Sequence, residues 1–162
     1  MKKGMMGVLL LLLVILLTGC QEEATPEERL AEYVNHWNKG NFAAMYKDYL
    51  NNGTKEVFST ENFVERQESL KKDLGIENVK VTYTKPAKDT EWNIEKPADF
   101  PIKVSMDTVA GPVEFEKTIT LVNETRDEDE NWFVKWDTSF IFPDLGEKDT
   151  VGISTSKPAR GE

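Results

Sequence analysis

The sequence predicts an α+β domain: three N-terminal helices packed on a curved four-stranded antiparallel sheet. Three observations predict it. Apolar residues between positions 30 and 74 recur at helical spacing, those after Asn78 alternate with polar ones, and turn-forming residues separate the alternating runs. Helices gathered in one half of the chain and strands in the other is the arrangement of helices laid over one face of a sheet.

The first helix has a complete start signal. Thr25 is placed to cap it, Pro26 suits the first helical position, and Glu28 stands where a capping box needs an acid. Leu30, Tyr33, Val34 and Trp37 then form one apolar stripe, and Gly40 supplies the stop. Phe42, Met45, Tyr46 and Tyr49 mark a second, shorter helix that ends before Asn51-Asn52-Gly53. The third is expected to start from Thr60 as cap, bury Phe63, Gln67, Leu70 and Leu74, and end at Gly75.

Val79, Val81 and Tyr83 make the first strand, which Pro86 ends. Residues 85–98 read as a loop with Trp92 as its large apolar side chain. Phe100, Ile102, Val104 and Met106 form the second strand, and Ala110-Gly111-Pro112 turns into a third with Val113, Phe115, Ile119 and Leu121 on one face. Arg126-Asp127-Glu128-Asp129-Glu130 is a charged hairpin tip before a fourth strand carrying Trp132, Val134 and Trp136. Each strand shows one apolar face, so the helices must cover that face. Phe140-Ile141-Phe142-Pro143 closes the domain as an apolar plug, and the remainder is polar.

The chain opens differently. Lys2 and Lys3 precede an unbroken apolar run over residues 8–17, closed by Leu17-Thr18-Gly19-Cys20. Positive, greasy, then small is the order of a secretory signal, and the run is shorter than the roughly 18 residues of a comfortable membrane span. The small pair before the chain's single cysteine looks like a lipobox, which makes Cys20 the expected lipid-attachment residue. The alternative is an uncleaved anchor helix extended by Met5 and Met6. Either way the expected place is the extracytoplasmic face of a bacterial membrane, held through the lipid anchor in the first reading and by the helix in the second. The expected organisation is a signal peptide over 1–19, a tether over 20–25, one domain over 26–145 and an extended linker over 146–162.

Removing the leader leaves 143 residues, enough for a single core. It also takes the net charge from −9 to about −11 as Lys2 and Lys3 depart. So acidic a surface argues against nucleic acid as a partner.

The helix pair with Trp37, followed by Asn41-Phe42 and Met45-Tyr46, resembles the opening of NTF2-like, cone-shaped domains. More specifically, the chain resembles the N-terminal NTF2-like domain of the low-affinity class B penicillin-binding proteins of Gram-positive bacteria, the group that includes the methicillin-resistance transpeptidase. The resemblance runs from about residue 25 to the end. It rests on Phe63-Val64-Glu65-Arg66, Val79-Lys80-Val81-Thr82-Tyr83 and Val104-Ser105-Met106-Asp107-Thr108 with Ala110-Gly111. Trp132-Phe133-Val134-Lys135-Trp136-Asp137, running into Ser139-Phe140-Ile141-Phe142-Pro143, is its most specific stretch, and Lys157-Pro158-Ala159-Arg160-Gly161-Glu162 is its last. In the family the Arg-Gly pair leads into a pedestal and a transpeptidase domain, so the chain is expected to be a fragment or a truncated relative. The resemblance implies a non-catalytic, membrane-anchored module of a cell-wall transpeptidase associated with β-lactam resistance, acting as stalk and interaction domain toward cell-wall synthesis proteins. A self-standing lipoprotein that binds a small ligand or peptide in the cone is the alternative.

The residues offer no catalytic, cofactor-binding or metal-binding set. Ser69-Leu70-Lys71-Lys72 and Ser154-Thr155-Ser156-Lys157 match the Ser-x-x-Lys element of penicillin-binding enzymes, but the chain contains neither Ser-x-Asn nor Lys-Thr/Ser-Gly. His36, the only histidine, lies off the apolar stripe and is expected to face solvent rather than act as a general base. Asp127-Glu128-Asp129-Glu130 lacks the spacing of a calcium loop. Trp132 and Trp136 are expected in the core rather than in a pocket, and Asp137 is expected either to cap the turn that follows it or to hold the plug residues in register.

Overall fold

The structure, a computed structural model, describes residues 24–143 and 145–149. The leader, Cys20 and the Ser154-to-Lys157 match lie outside the described residues. Helix α1 (Pro26–Asn38) starts on the expected capping box: Thr25 Oγ1 accepts from Glu28 N at 3.2 Å, and Thr25 N donates to Glu28 Oε2 at 2.8 Å. It ends in a Schellman turn, with Gly40 at φ 69°, Gly40 N donating to Trp37 O and Asn41 N to His36 O.

The second helical stretch departs from a regular helix. Phe42–Ala44 (α2) is one α turn that widens into a π-helical segment, Met45–Tyr49. The wider turn still buries Met45, Tyr46 and Tyr49, so the apolar pattern holds while the hydrogen bonding differs. Asn51-Asn52-Gly53 proves to be a start, not only a stop. Asn51 Oδ1 accepts from Thr54 N at 3.0 Å and caps an additional short helix, α3 (Asn52–Val57). Asparagine serves both turns and N-caps, and the sequence pattern does not say which. Helix α4 (Thr60–Asp73) is capped by Ser59, whose Oγ accepts from Asn62 N, rather than by the neighbouring Thr60. It closes with a second Schellman turn at Gly75, φ 57°. Gly75 is required twice, because a Cβ there would also sit 2.6 Å from Val109 Cγ1.

Four strands follow as an antiparallel meander in the order β1 (Glu77–Tyr83), β2 (Ala98–Thr108), β3 (Gly111–Arg126), β4 (Asp129–Lys135). The β2–β3 turn is centred on Val109-Ala110, one position earlier than expected, with Thr108 paired to Gly111. The β3–β4 tip is a two-residue turn with Asp127 and Glu128 both at positive φ, the backbone of a type I′ hairpin made without glycine. Phe100↔Ile119, Ile102↔Lys117 and Val104↔Phe115 place one face of β2 and β3 together under the helices.

On that face Leu30, Tyr33, Met45, Phe63, Ile102 and Leu121 are all fully buried. Each such side chain contributes about 1.5–3 kcal/mol. An exposed pair such as Lys103–Glu114, at 2.6 Å, is screened by water and adds little, so burial dominates the stability. Lys117 lies on the apolar face and reaches outward to Ser139 Oγ beside the Phe140 ring. Edge strand β1 is closed to further pairing at its middle: Asn38 Oδ1 accepts from Val81 N at 2.7 Å, and Asn38 Nδ2 donates to Val81 O. The opposite edge, β4, is met by Leu50 in a short parallel bridge to Val134.

Candidate functional site

Among the side chains singled out by sequence, most prove structural. Trp136 is buried against Phe58 and Phe63, with ring centroids 5.2 and 4.8 Å away, and Trp132 is buried in the same core. Asp137 caps the single 3₁₀ turn Thr138–Phe140 through Ser139 N at 2.8 Å. That turn presses Phe140 edge-on against Trp37. Ser69 and Lys72 lie on exposed positions of α4. His36 is half-buried rather than solvent-facing, because the π-helical segment brings the Tyr49 ring to 5.4 Å. Among the described residues no three His, Cys, Asp or Glu side chains gather as metal ligands, and no helix is long and apolar enough to cross a membrane.

The four acids of the hairpin tip, Asp127 to Glu130, are exposed, whereas Arg126 at its base is partly buried. The Arg126 guanidinium lies 3.5 Å from the centre of the Phe133 ring and donates to Leu50 O and to Glu124. Arg29 stacks on Tyr49 and reaches Asp48 O and Trp132 O. Two arginines thus bolt the π-helical segment to β4. Sequence reasoning had no local signal for the main-chain contacts of either, since those acceptors lie 19 to 103 residues away.

Two features remain that packing alone does not use up. The first is a cleft of about 230 Å³ where the C-terminal ends of α1 and α4 meet the start of β1. Trp37, Phe42, Ile76, Met106 and Ile141 give it apolar walls, and Gln67, Lys71 and Glu77 give it polar ones. Gln67 is only 4% exposed, and its Nε2 has no hydrogen-bond partner. Lys71 Nζ lies 3.9 Å from where a Gly40 Cβ would sit, over the negative end of the α1 dipole. The sequence carried one trace of this site: Gln67 is the polar member of an otherwise apolar stripe.

The second is a latch. The Arg66 guanidinium donates to three backbone carbonyls, Glu147 O at 2.6 Å, Gly146 O at 2.9 Å and Asp149 O at 2.9 Å. It fastens the chain leaving the domain to the middle of α4.

This architecture has a counterpart in known proteins. The profile of a family described as the NTF2-like N-terminal transpeptidase domain matches residues 25–149. The chain is also 37% identical to penicillin-binding protein 3 of Bacillus subtilis (strain 168) over 162 residues. That alignment covers 100% of this chain and 24% of the relative, so the chain spans about a quarter of the length of the protein it matches. With its helices over a curled four-stranded sheet, the chain belongs to the NTF2-like N-terminal transpeptidase domain family.

Proposed function

We propose that this domain is a non-catalytic spacer and interaction module of a penicillin-binding-protein-like cell-wall transpeptidase of the β-lactam-resistant kind. Cys20 carries the lipid that holds it on the outer face of the cell membrane, and cell-wall synthesis proteins are its partners. The observation that supports this most is the match of all 162 residues to a quarter of a penicillin-binding protein, within a family described as N-terminal. The Arg66 latch gives the departing chain a defined direction, as a spacer needs.

Two measurements test the reading. Fluorescent penicillin should leave the 162-residue chain unlabelled; stoichiometric covalent labelling would overturn the non-catalytic role. Cells fed a radiolabelled fatty acid should label the chain at Cys20, and Cys20→Ser should lose both label and membrane sedimentation. Full labelling of Cys20→Ser would sink the anchor assignment.

A further inference from the structure

We propose that the cleft between α1, α4 and β1 is a binding site for a small neutral molecule carrying an N-acyl amide, received by the side-chain amide of Gln67. The anchor and spacer roles can fail without touching this site, and the site can fail without touching them.

The Gln67 amide is the starting point. A buried donor without an acceptor costs about 1–3 kcal/mol, and native proteins seldom leave one without a reason. Other buried polar atoms also lack partners, but their settings differ. Tyr33 Oη and Trp136 Nε1 are packed in the core and do not border the cleft, and Arg66 Nε and Arg126 Nε belong to guanidinium groups that are bonded elsewhere. Gln67 alone among them lines the cleft. Its χ3 torsion is soft, so a small turn presents Nε2 to a carbonyl oxygen in the cleft and Oε1 to an N–H. An amide pairs with an amide by that exchange.

Size and charge narrow the ligand. At about 230 Å³ the cleft holds roughly eight water volumes and falls below the ~300–1,000 Å³ of sites for drug-sized ligands, so the occupant is the size of an amino acid or a monosaccharide. Lys39, Lys71 and Glu77 are the charged lining residues, and the carbonyl end of α1 beneath Lys71 offsets part of the remaining positive charge, which leaves little net charge for an ion to meet. Trp37, Phe42 and Ile141 offer apolar contact to a methyl or ring face. An acetamido group supplies both halves, a methyl and an amide. It can come from an N-acetylated sugar or from a short peptide.

The test is an NMR titration of the ¹⁵N-labelled full chain in detergent, with N-acetylglucosamine in one arm and N-acetyl-alanine methylamide in the other. Saturable shifts of the Gln67 side-chain NH₂ pair and the Trp37 indole in either arm support the site, and the arm that saturates first names the source. Gln67→Met keeps the volume and removes the donor, and should weaken binding about tenfold. Should that variant not fold, Phe42→Ala, at a half-buried wall position, takes its place and should weaken binding several-fold. No saturable shift in either arm up to about 20 mM, where a Kd of about 1 mM is saturated, overturns the proposal. Unchanged affinity in the variant that folds overturns it as well.

Discussion

Two buried polar residues, Thr54 and Gln67, are 5% and 4% exposed and have opposite fates. Thr54 Oγ1 accepts from Trp136 N at 3.1 Å and lies 2.6 Å from Asn51 Oδ1, so α3, its cap and the end of β4 are tied at one hydroxyl. The Gln67 amide nitrogen, on the cleft side of the same core, has nothing to bond. A fully partnered buried polar group specifies where elements sit, whereas one left open beside a cleft destabilises the fold unless a ligand completes it. The end of the domain at Thr54 is built to be fixed, and the end at Gln67 to be filled.

The largest expected break in this contrast is Thr54→Val, which leaves Trp136 N buried without an acceptor and should cost about 2 kcal/mol in urea unfolding followed by tryptophan fluorescence. A loss below about 0.5 kcal/mol would mean that the Thr54 contacts are incidental. Gly75→Ala, at the cleft end, should cost about 1–2 kcal/mol in the same assay, because φ 57° and the Val109 contact both oppose a Cβ. Gln67→Met should be the mirror image of Thr54→Val, within about 1 kcal/mol of wild type or slightly more stable, since it removes an unsatisfied donor. A loss of about 3 kcal/mol there would show Gln67 to be structural and erase the contrast.

The smallest effect at neutral pH, and the most specific in pH, concerns Tyr83. Partial burial, and then its 2.8 Å hydrogen bond to Glu27, push its hydroxyl up to about 12 from an ordinary 10. Burial raises Tyr33 as well, and burial followed by the Glu32 hydrogen bond raises Tyr49. An unfolded tyrosine ionises first, so this stability is whole below about pH 10 and is lost as pH rises through about 12. Tyr83→Phe should change stability at pH 7 by less than about 1 kcal/mol and make the alkaline decline shallower. An unchanged slope between pH 10 and 12 would remove Tyr83 from that decline.

What the sequence made legible divides along the same line. The Thr25-Pro26-Glu28 start of α1, the Gly40 and Gly75 stops and the four-strand meander were readable because their causes are local: a cap, a positive φ, a period of two. The π-helical widening at Met45–Tyr49 was not, since its apolar spacing differs too little from that of a short helix. Ser59 and Thr60 are adjacent and chemically equivalent as caps, so only the backbone decides between them. The cleft was least legible. Gln67 announced itself as polar on a buried stripe, but its lack of a partner depends on what α1, β1 and β2 do not bring to it. The arginine contacts at positions 29, 66 and 126 were invisible for a related reason: their acceptors are mostly backbone carbonyls, which every sequence has.

That last property gives the Arg66 latch a mechanical meaning. Because the guanidinium grips main-chain oxygens, the latch itself reads the path of residues 146–149 rather than their side chains, while Gly146 N donating to Asp149 Oδ2 holds that path in shape. The segment over residues 145–149 is thus tied at two places, to the middle of α4, whose inner face is packed through Phe63 and Leu70, and to the Thr138 turn through Leu145 O.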